Sequence, residues 1–481
     1  MREAAAAFHR RIDTALADAG LKAALALSTG RLAGGRATAV AALEDFETYR
    51  DEARRIRART IARLDQHLEA FTRAAAGRGC QVHWAETAES ASSIVAGIAR
   101  DRGLTLAVKS KSMVSEEIEL NAALERAGVR VIETDLGEFV VQLAADRPSH
   151  IITPIIHRSR HDVARLFREK LGAGPEDVAD IPGMTAFARR TLREEFLRAG
   201  LGISGANLAV AETGTICVVT NEGNGRLTTS LPRVHVALVG LERIVPTLAD
   251  LSIVLALLAR SATGQALSVY TNLLTGPRRR SAGPDPSGGD EPDGPEELHV
   301  VIVDNGRSRL LGGPLAEMLY CIRCGACLNV CPVYKLIGGH AYGGVYPGPM
   351  GSVVMPGLMG LDDWSELAQA SSLCGACRDV CPVRINLPGL LLTLRRQAAS
   401  RGLAPFWLRA AMPLYAAIVT RPRVYRALGV LAGLGARLIG RGGWIRRLPG
   451  PLSAWTDSRD FPVPAARSFL RQHRTGKGTA S

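Results

Sequence analysis

The chain has 481 residues, enough for two to four domains with cores of their own. Hydrophobic residues make up 47% and charged residues 22%, a balance that excludes a largely disordered chain. The net charge of +13 points to an acidic partner or an anionic surface, and arginines without interleaved aromatics disfavour nucleic acid. The longest uncharged apolar runs near the C-terminus, 410–420 and 427–436, fall short of the roughly 18–20 residues of a membrane span. No apolar core follows the N-terminal arginines, so a cytoplasmic location is expected, where thiols stay reduced.

Taken in chain order, residues 1–79 read as a helical region. Leu64, Leu68 and Phe71 recur at helical spacing, and Arg54, Arg55, Arg57, Arg59 and Arg63 form a polar face expected to be solvated. Residues 80–309 alternate short apolar runs with helical stretches. The strands are expected at 81–84, 104–108, 129–133, 150–153, 207–210, 216–220, 234–239 and 298–303. The helices are expected at 90–99, 115–127, 162–170, 184–199 and 246–259. Such alternation predicts an α/β domain of three layers with a largely parallel sheet. Ligands of such sheets bind beyond the carboxyl ends of the strands. Residues 276–297, rich in Gly, Pro, Asp and Ser, read as an exposed mobile insertion rather than a boundary, because a strand follows them.

Residues 310–399 form a cysteine-rich domain, with the Gly- and Pro-studded stretch 338–360 expected to be loop. Seven of the nine cysteines lie here. The first run is Cys321-Ile-Arg-Cys324-Gly-Ala-Cys327-Leu-Asn-Val-Cys331-Pro332, and the second is Cys374-Gly-Ala-Cys377-Arg-Asp-Val-Cys381-Pro382. The first has the complete spacing of cluster-binding ferredoxins, in which the fourth cysteine of each run serves the other run's cluster. On that rule Cys321, Cys324, Cys327 and Cys381 form a four-thiolate set, and Cys331, Cys374 and Cys377 a three-thiolate set. The first set suits a [4Fe-4S] cluster. The second suits a [3Fe-4S] cluster, or a [4Fe-4S] cluster with a ligand other than cysteine. Ser371 stands at the missing leading position as the nearest oxygen donor, although a partner or substrate could serve. Seven thiolates with a proline after each x3 cysteine suit zinc poorly. Cys80 and Cys217, each alone in an apolar stretch, read as buried inert thiols.

The tail, 400–481, consists of short apolar helices interrupted by arginine, with Trp407, Trp444 and Trp455. It could lie on a membrane surface or dock onto the rest of the protein, which is the commoner fate of such segments.

Outside the cysteines, polar residues gather at the expected strand ends. Lys109 and Lys111, with Ser110 between them, would suit a carboxylate or phosphate. Glu133 and Asp135 could accept hydroxyl hydrogen bonds or a proton. Glu212, Thr213, Gly214 and Thr215 form a turn where glycine allows close approach of a ligand. Asn221, Arg226 and His235 are placed in the same space. Capping or ion pairing competes with ligand binding at each position taken singly. His157, in a turn rich in Arg and His, is expected to be solvated. Gly223-Asn224-Gly225 lacks the third glycine of a dinucleotide fingerprint, so nicotinamide or flavin binding has no motif here.

These stretches together resemble the lactate utilisation protein B family. The resemblance rests on Val82-His83-Trp84-Ala85, Lys109-Ser110-Lys111-Ser112-Met113, Glu133-Thr134-Asp135-Leu136-Gly137-Glu138, Ala211-Glu212-Thr213-Gly214-Thr215 and the cysteine runs, and it spans roughly 40–475. It implies an α/β domain similar to the sugar-phosphate isomerase and CoA-transferase-like group. It also implies a role as iron–sulfur electron-transfer subunit in L-lactate oxidation towards the respiratory chain. Two companions are implied, a cysteine-rich electron-transfer subunit and a second protein with the same α/β domain. Iron–sulfur clusters pass single electrons and cannot take a hydride alone. Two other readings therefore stand beside the electron carrier. In one the α/β domain binds and oxidises a small hydroxy acid with the clusters as outlet; in the other the chain is a redox-sensing scaffold.

Overall fold

A computed structural model describes residues 7–278, 294–404, 406–457 and 459–465. It divides into two compact units, one reaching to Ala398 and the other starting at Ala399.

The first unit opens with four helices, α1 (Phe8–Ala17), α2 (Ala19–Ala41), α3 (Phe46–Ala62) and α4 (Leu64–Gly77). Asp18 starts α2 by accepting a hydrogen bond from the Leu21 amide. Leu64, Leu68 and Phe71 of α4 are buried, as their spacing requires. The arginine-rich face is exposed at Arg55, Arg59 and Arg63, as the sequence suggests, but Arg57 is fully buried, and Arg50, two turns earlier, is buried as well.

Ten strands follow: β1 (Gln81–Ala85), β2 (Leu106–Lys109), β3 (Arg130–Glu133), β4 (Leu201–Gly205), β5 (Leu208–Val210), β6 (Thr215–Thr220), β7 (Val234–Gly240), β8 (Ile244–Val245), β9 (Tyr270–Leu274) and β10 (Glu297–Val303). Six form an all-parallel sheet in the order β1-β10-β7-β4-β2-β3. Apolar helix faces cover it on both sides, as a parallel sheet requires. Val95, Ile98 and Leu124 belong to one buried cluster and Phe139, Phe167, Met184 and Phe196 to the other, which gives the three expected layers. A smaller mixed sheet runs β8-β5-β6-β9.

Four local expectations are corrected. Residues 150–153 are not a strand but a tight turn, because the His150 ring accepts hydrogen bonds from the Ile152 and Thr153 amides at 3.1 Å each. The expected helix 115–127 is broken in two, Met113–Glu117 and Leu120–Arg126, by Glu119 at φ 52°. The expected loop contains the helix Gly348–Met359, with Pro349 in its first turn and Pro356 inside it. His157 is not solvated: its Nε2 lies 3.1 Å from Asp146, which also pairs with Arg158 and neighbours His340. The insertion expected at 276–297 lies mostly outside the described residues.

The second unit carries two helices, Phe406–Val419 and Pro422–Ile439, and a short antiparallel pairing of Trp444–Ile445 with Phe461–Pro462. Among the described residues no helix is long and apolar enough to cross a membrane.

Candidate metal centre and adjoining cavity

The two cysteine runs fold as a local repeat. Arg323 and Leu373, each one residue before a Cys-Gly-Ala-Cys segment, adopt φ 57° and 54°, and Gly325 and Gly375 follow at 76° and 89°. These paired left-handed residues turn the chain tightly enough to aim successive side chains at one point. The repeat extends to the leading position. The Arg323 amide donates to Cys321 Sγ at 3.4 Å, and the Leu373 amide donates to Ser371 Oγ at 3.1 Å. Ser371 thus stands where Cys321 stands in the first run.

Cys321, Cys324, Cys327 and Cys381 line one small cavity, walled by Met318, Met350, Ile385 and Leu387. Burial and repulsion from neighbouring thiols push up those of Cys324, to about 12, Cys327, and Cys381, to about 11. Four sulfurs held this close in apolar surroundings fit a cationic cluster, which favours their deprotonation. Cys331, Cys374 and Cys377 form a second neighbourhood, and Cys331 and Cys374 both contribute to raising the Cys377 thiol, already lifted by burial, to about 12. Cys374 is exposed, whereas the first set is buried or half-buried.

The cysteine loops are tied down by arginines of the N-terminal helices, a role the sequence did not disclose. Arg50 donates twice to the Cys381 carbonyl, at 2.8 and 3.1 Å, and Arg36 donates to the Val380 carbonyl at 2.9 Å. Arg57 reaches the Leu319 carbonyl at 3.0 Å and the Ile244 carbonyl at 2.5 Å.

Beside this centre lies a cavity of about 480 Å3. Its polar lining comes from the carboxyl ends of five of the six parallel strands: Ser110 and Lys111 after β2, Asp135 after β3, Asn207 after β4, Glu242 and Arg243 after β7, and Arg307 after β10. The 151–155 turn, Asn221 and Glu222 after β6, and Ile322, Arg323 and Tyr346 of the cysteine-rich domain complete much of the wall. Ile151 and Ile322 line both this cavity and the four-cysteine one.

Charge is unevenly satisfied here. Arg307 is locked, donating to both oxygens of Glu117 at 2.7 and 2.8 Å and to Glu242 at 2.7 Å, and the Tyr346 hydroxyl also donates to Glu117. Arg243 donates to the Cys321 carbonyl at 3.1 Å. Arg323 stacks over Tyr346 at 4.5 Å, yet its Nε and Nη1 have no hydrogen-bond acceptor. Lys111 Nζ and Ser110 Oγ are likewise buried without a hydrogen-bond partner, although Lys111 lies 3.4 Å from Glu138. Burial raises the Glu138 carboxyl to about 8, and burial with the adjacent Asp135 raises Glu222 to about 7. Unspent N–H donors beside proton-bearing carboxyls can bind a small organic anion and exchange a proton with it.

Of the residues expected at a pocket, Ser110, Lys111, Asp135 and Asn221 line the cavity. The others have structural partners instead. Lys109 is fully buried, 2.7 Å from both Glu116 and Glu133; burial pulls its ammonium down, but the two carboxylates outweigh it and hold it above its ordinary value. Glu133 is therefore spent as an ion partner beneath the cavity. Glu212 accepts from the Leu248 amide and caps a helix, and Thr213 bonds Thr215. A Cβ at Gly214 would meet Ala75 at 2.3 Å, so the close approach there is to α4 and not to a ligand. Arg226 stacks on Tyr270, and His235 is buried in the sheet against Ser204 at 2.8 Å. Glu222, Glu242, Arg243, Arg307 and Arg323 were missed. The strand-end rule applied to β7 and β10 finds Glu242, Arg243 and Arg307.

Comparison with known proteins agrees with this division. A family of LUD domains matches residues 68–303, a 4Fe-4S dicluster domain matches 317–385, and the C-terminal domain of lactate utilisation protein B matches 401–476. Lactate utilization protein B of Bacillus pumilus is 43% identical over 471 residues, covering 98% of this chain and 97% of that protein. An electron transport protein of Escherichia coli, YkgF, described as uncharacterized, is 43% identical over 464 residues, covering 96% and 95%. A solved structure of a DUF162 family protein from Deinococcus radiodurans is 17% identical, covers 50% of this chain and 98% of that one, and has a TM-score of 0.27. With an iron–sulfur dicluster domain set behind an α/β domain and near full-length identity to its relatives, the chain belongs to the lactate utilisation protein B family.

Proposed function

We propose that this protein is the iron–sulfur electron carrier of an assembly that oxidises L-lactate to pyruvate and delivers the electrons towards the respiratory chain. Two companions complete the assembly, a cysteine-rich electron-transfer subunit and a second protein with the same α/β domain. Cys321, Cys324, Cys327 and Cys381 hold one [4Fe-4S] cluster. Cys331, Cys374 and Cys377 hold the second, a [4Fe-4S] cluster with Ser371 as its oxygen ligand. Bound there, the clusters supply one-electron transfer.

The observation that carries the reading is the layout. The four-cysteine set, buried or half-buried, shares Ile151 and Ile322 with the adjoining cavity, while the other set opens to solvent at Cys374. The two sets thus lead from the cavity to a surface where a partner can dock. The same shared wall favours a second reading, in which the cavity itself takes a small hydroxy acid. Arg323 and Arg243 would face its carboxylate, and Glu222 would hydrogen-bond its hydroxyl.

Anaerobic reconstitution followed by iron counting and electron paramagnetic resonance tests the proposal. About seven or eight irons per chain are expected, and fewer than about six would overturn it. Cys324→Ser should abolish growth on lactate; normal growth would sink the electron-carrier role. Ser371→Cys should keep the four-iron form of the second cluster, and Ser371→Ala should convert it to a three-iron signal. A three-iron signal already present in the unaltered protein would remove Ser371 as a ligand. Dye reduction on adding lactate to the isolated chain, lost in Arg323→Gln, would support the second reading; no dye reduction would count against it.

A further inference from the structure

The C-terminal unit has a composition that neither electron transfer nor the cavity explains. Between Ala399 and Thr456 the chain carries nine arginines, no lysine and no acidic residue. The helix Pro422–Ile439 has no buried residue. At about 100° per residue, Arg423, Arg426 and Arg437 fall within a sector of about 60°. Val424, Leu428, Leu431, Leu438 and Ile439 fall on a separate face, centred more than about 90° away. Both faces are exposed: Leu431 is 62% and Leu438 88% accessible. The preceding helix, Phe406–Val419, adds Phe406, Leu414 and Tyr415, also exposed, and a single arginine, Arg409.

We propose that this helix pair lies in the plane of an anionic phospholipid surface, its leucine face in the acyl boundary and its arginines at the phosphates. An apolar face left open beside a one-sign charged face is the pattern of interfacial helices. The absence of acidic residues between Ala399 and Thr456 makes the helix pair complementary to a negative bilayer and leaves no carboxylate within that stretch to neutralise its arginines. Nucleic acid would use the arginines but leave the leucine face in water. An acidic protein is the competing occupant, and failure of the full-length protein to float with anionic vesicles would favour it. The inference goes beyond the electron-carrier reading and does not depend on it.

Vesicle flotation of the full-length, cluster-loaded protein decides it. The protein should float with phosphatidylcholine vesicles containing phosphatidylglycerol and stay at the bottom with phosphatidylcholine alone. Arg423→Glu with Arg426→Glu should weaken binding at least about tenfold. Leu431→Ser with Leu438→Ser should leave binding that is washed off by salt, whereas the unaltered protein resists the wash. Unchanged cluster absorbance in each variant shows that folding is intact. Failure to float with anionic vesicles, equal flotation of the charge-reversed variant, or displacement from vesicles by poly(U) would overturn the proposal. Cluster loss would instead overturn the function proposed above and leave flotation unaffected.

Discussion

His235 shows how far a single residue's role departs from its sequence signal. Its ring is buried against Ser204, and burial pulls its pKa down to about 3. Unfolded, the same ring takes a proton near 6.5. Between those values the unfolded chain binds the extra proton, so this residue's contribution to stability is full above about 6.5 and is lost as pH falls. His150, held at about 3 by burial with a smaller contribution from Lys111, adds to the same slope. Urea midpoints measured from pH 7 to pH 4 should fall, and His235→Asn should flatten that fall; an unchanged slope would show that the ring is neutral for another reason. The residue lesson is general here. Lys109, Glu133 and His235 were visible as chemistry-bearing types at strand ends, but alternation along a strand does not say which end residues point into the cavity and which into the sheet. Lys111 lines the cavity and Lys109, two residues earlier, does not.

At the level of elements, the helix α3 is the largest departure. Its arginines read as a solvated face because periodicity reports only which residues lie together, not what covers them. One of them, Arg50, caps the Cys381 carbonyl, more than three hundred residues away, and Arg36 of α2 caps the neighbouring Val380 carbonyl. Positive guanidinium charge beside a cluster favours its reduced, more negative state. Arg36→Gln with Arg50→Gln should therefore lower the midpoint potential of the four-thiolate cluster and leave the other nearly unchanged, a split that redox titration followed by electron paramagnetic resonance would read. Equal shifts at both would mean the arginines act only through the fold. Strand β4 was invisible for a different reason. Its glycines suppress the strand signal, yet a Cβ at Gly202 would sit 2.0 Å from the Thr228 carbonyl, so the central strand needs glycine there to let the helix Asn224–Ser230 pack. The other parallel strands, apolar and flanked by turns, were legible almost to the residue. The helix Gly348–Met359 was hidden by its prolines, one of which merely starts it.

On the scale of the molecule, the order of parts was readable because each has its own pattern: cysteine spacing for the metal centre, strand and helix alternation for the α/β region, and a one-sign charge run for the tail. Their joint was not readable. The turn at His150, taken for a strand, brings Ile151 against the cysteine loop, and His150 itself lies 3.2 Å from Asn329 in the first run. Ile151 and Ile322 thus form a wall common to the cavity and the four-cysteine pocket. Dioxygen, being small and apolar, would cross an aliphatic wall more readily than ions do, so an unliganded cavity would be a leak through which air reaches a cluster held by the four cysteines. A carboxylate lodged against Arg323 should plug that leak, and cluster-loaded protein opened to air should bleach more slowly with pyruvate than without it. Identical bleaching rates would mean that oxygen enters elsewhere, through the exposed Cys374 side.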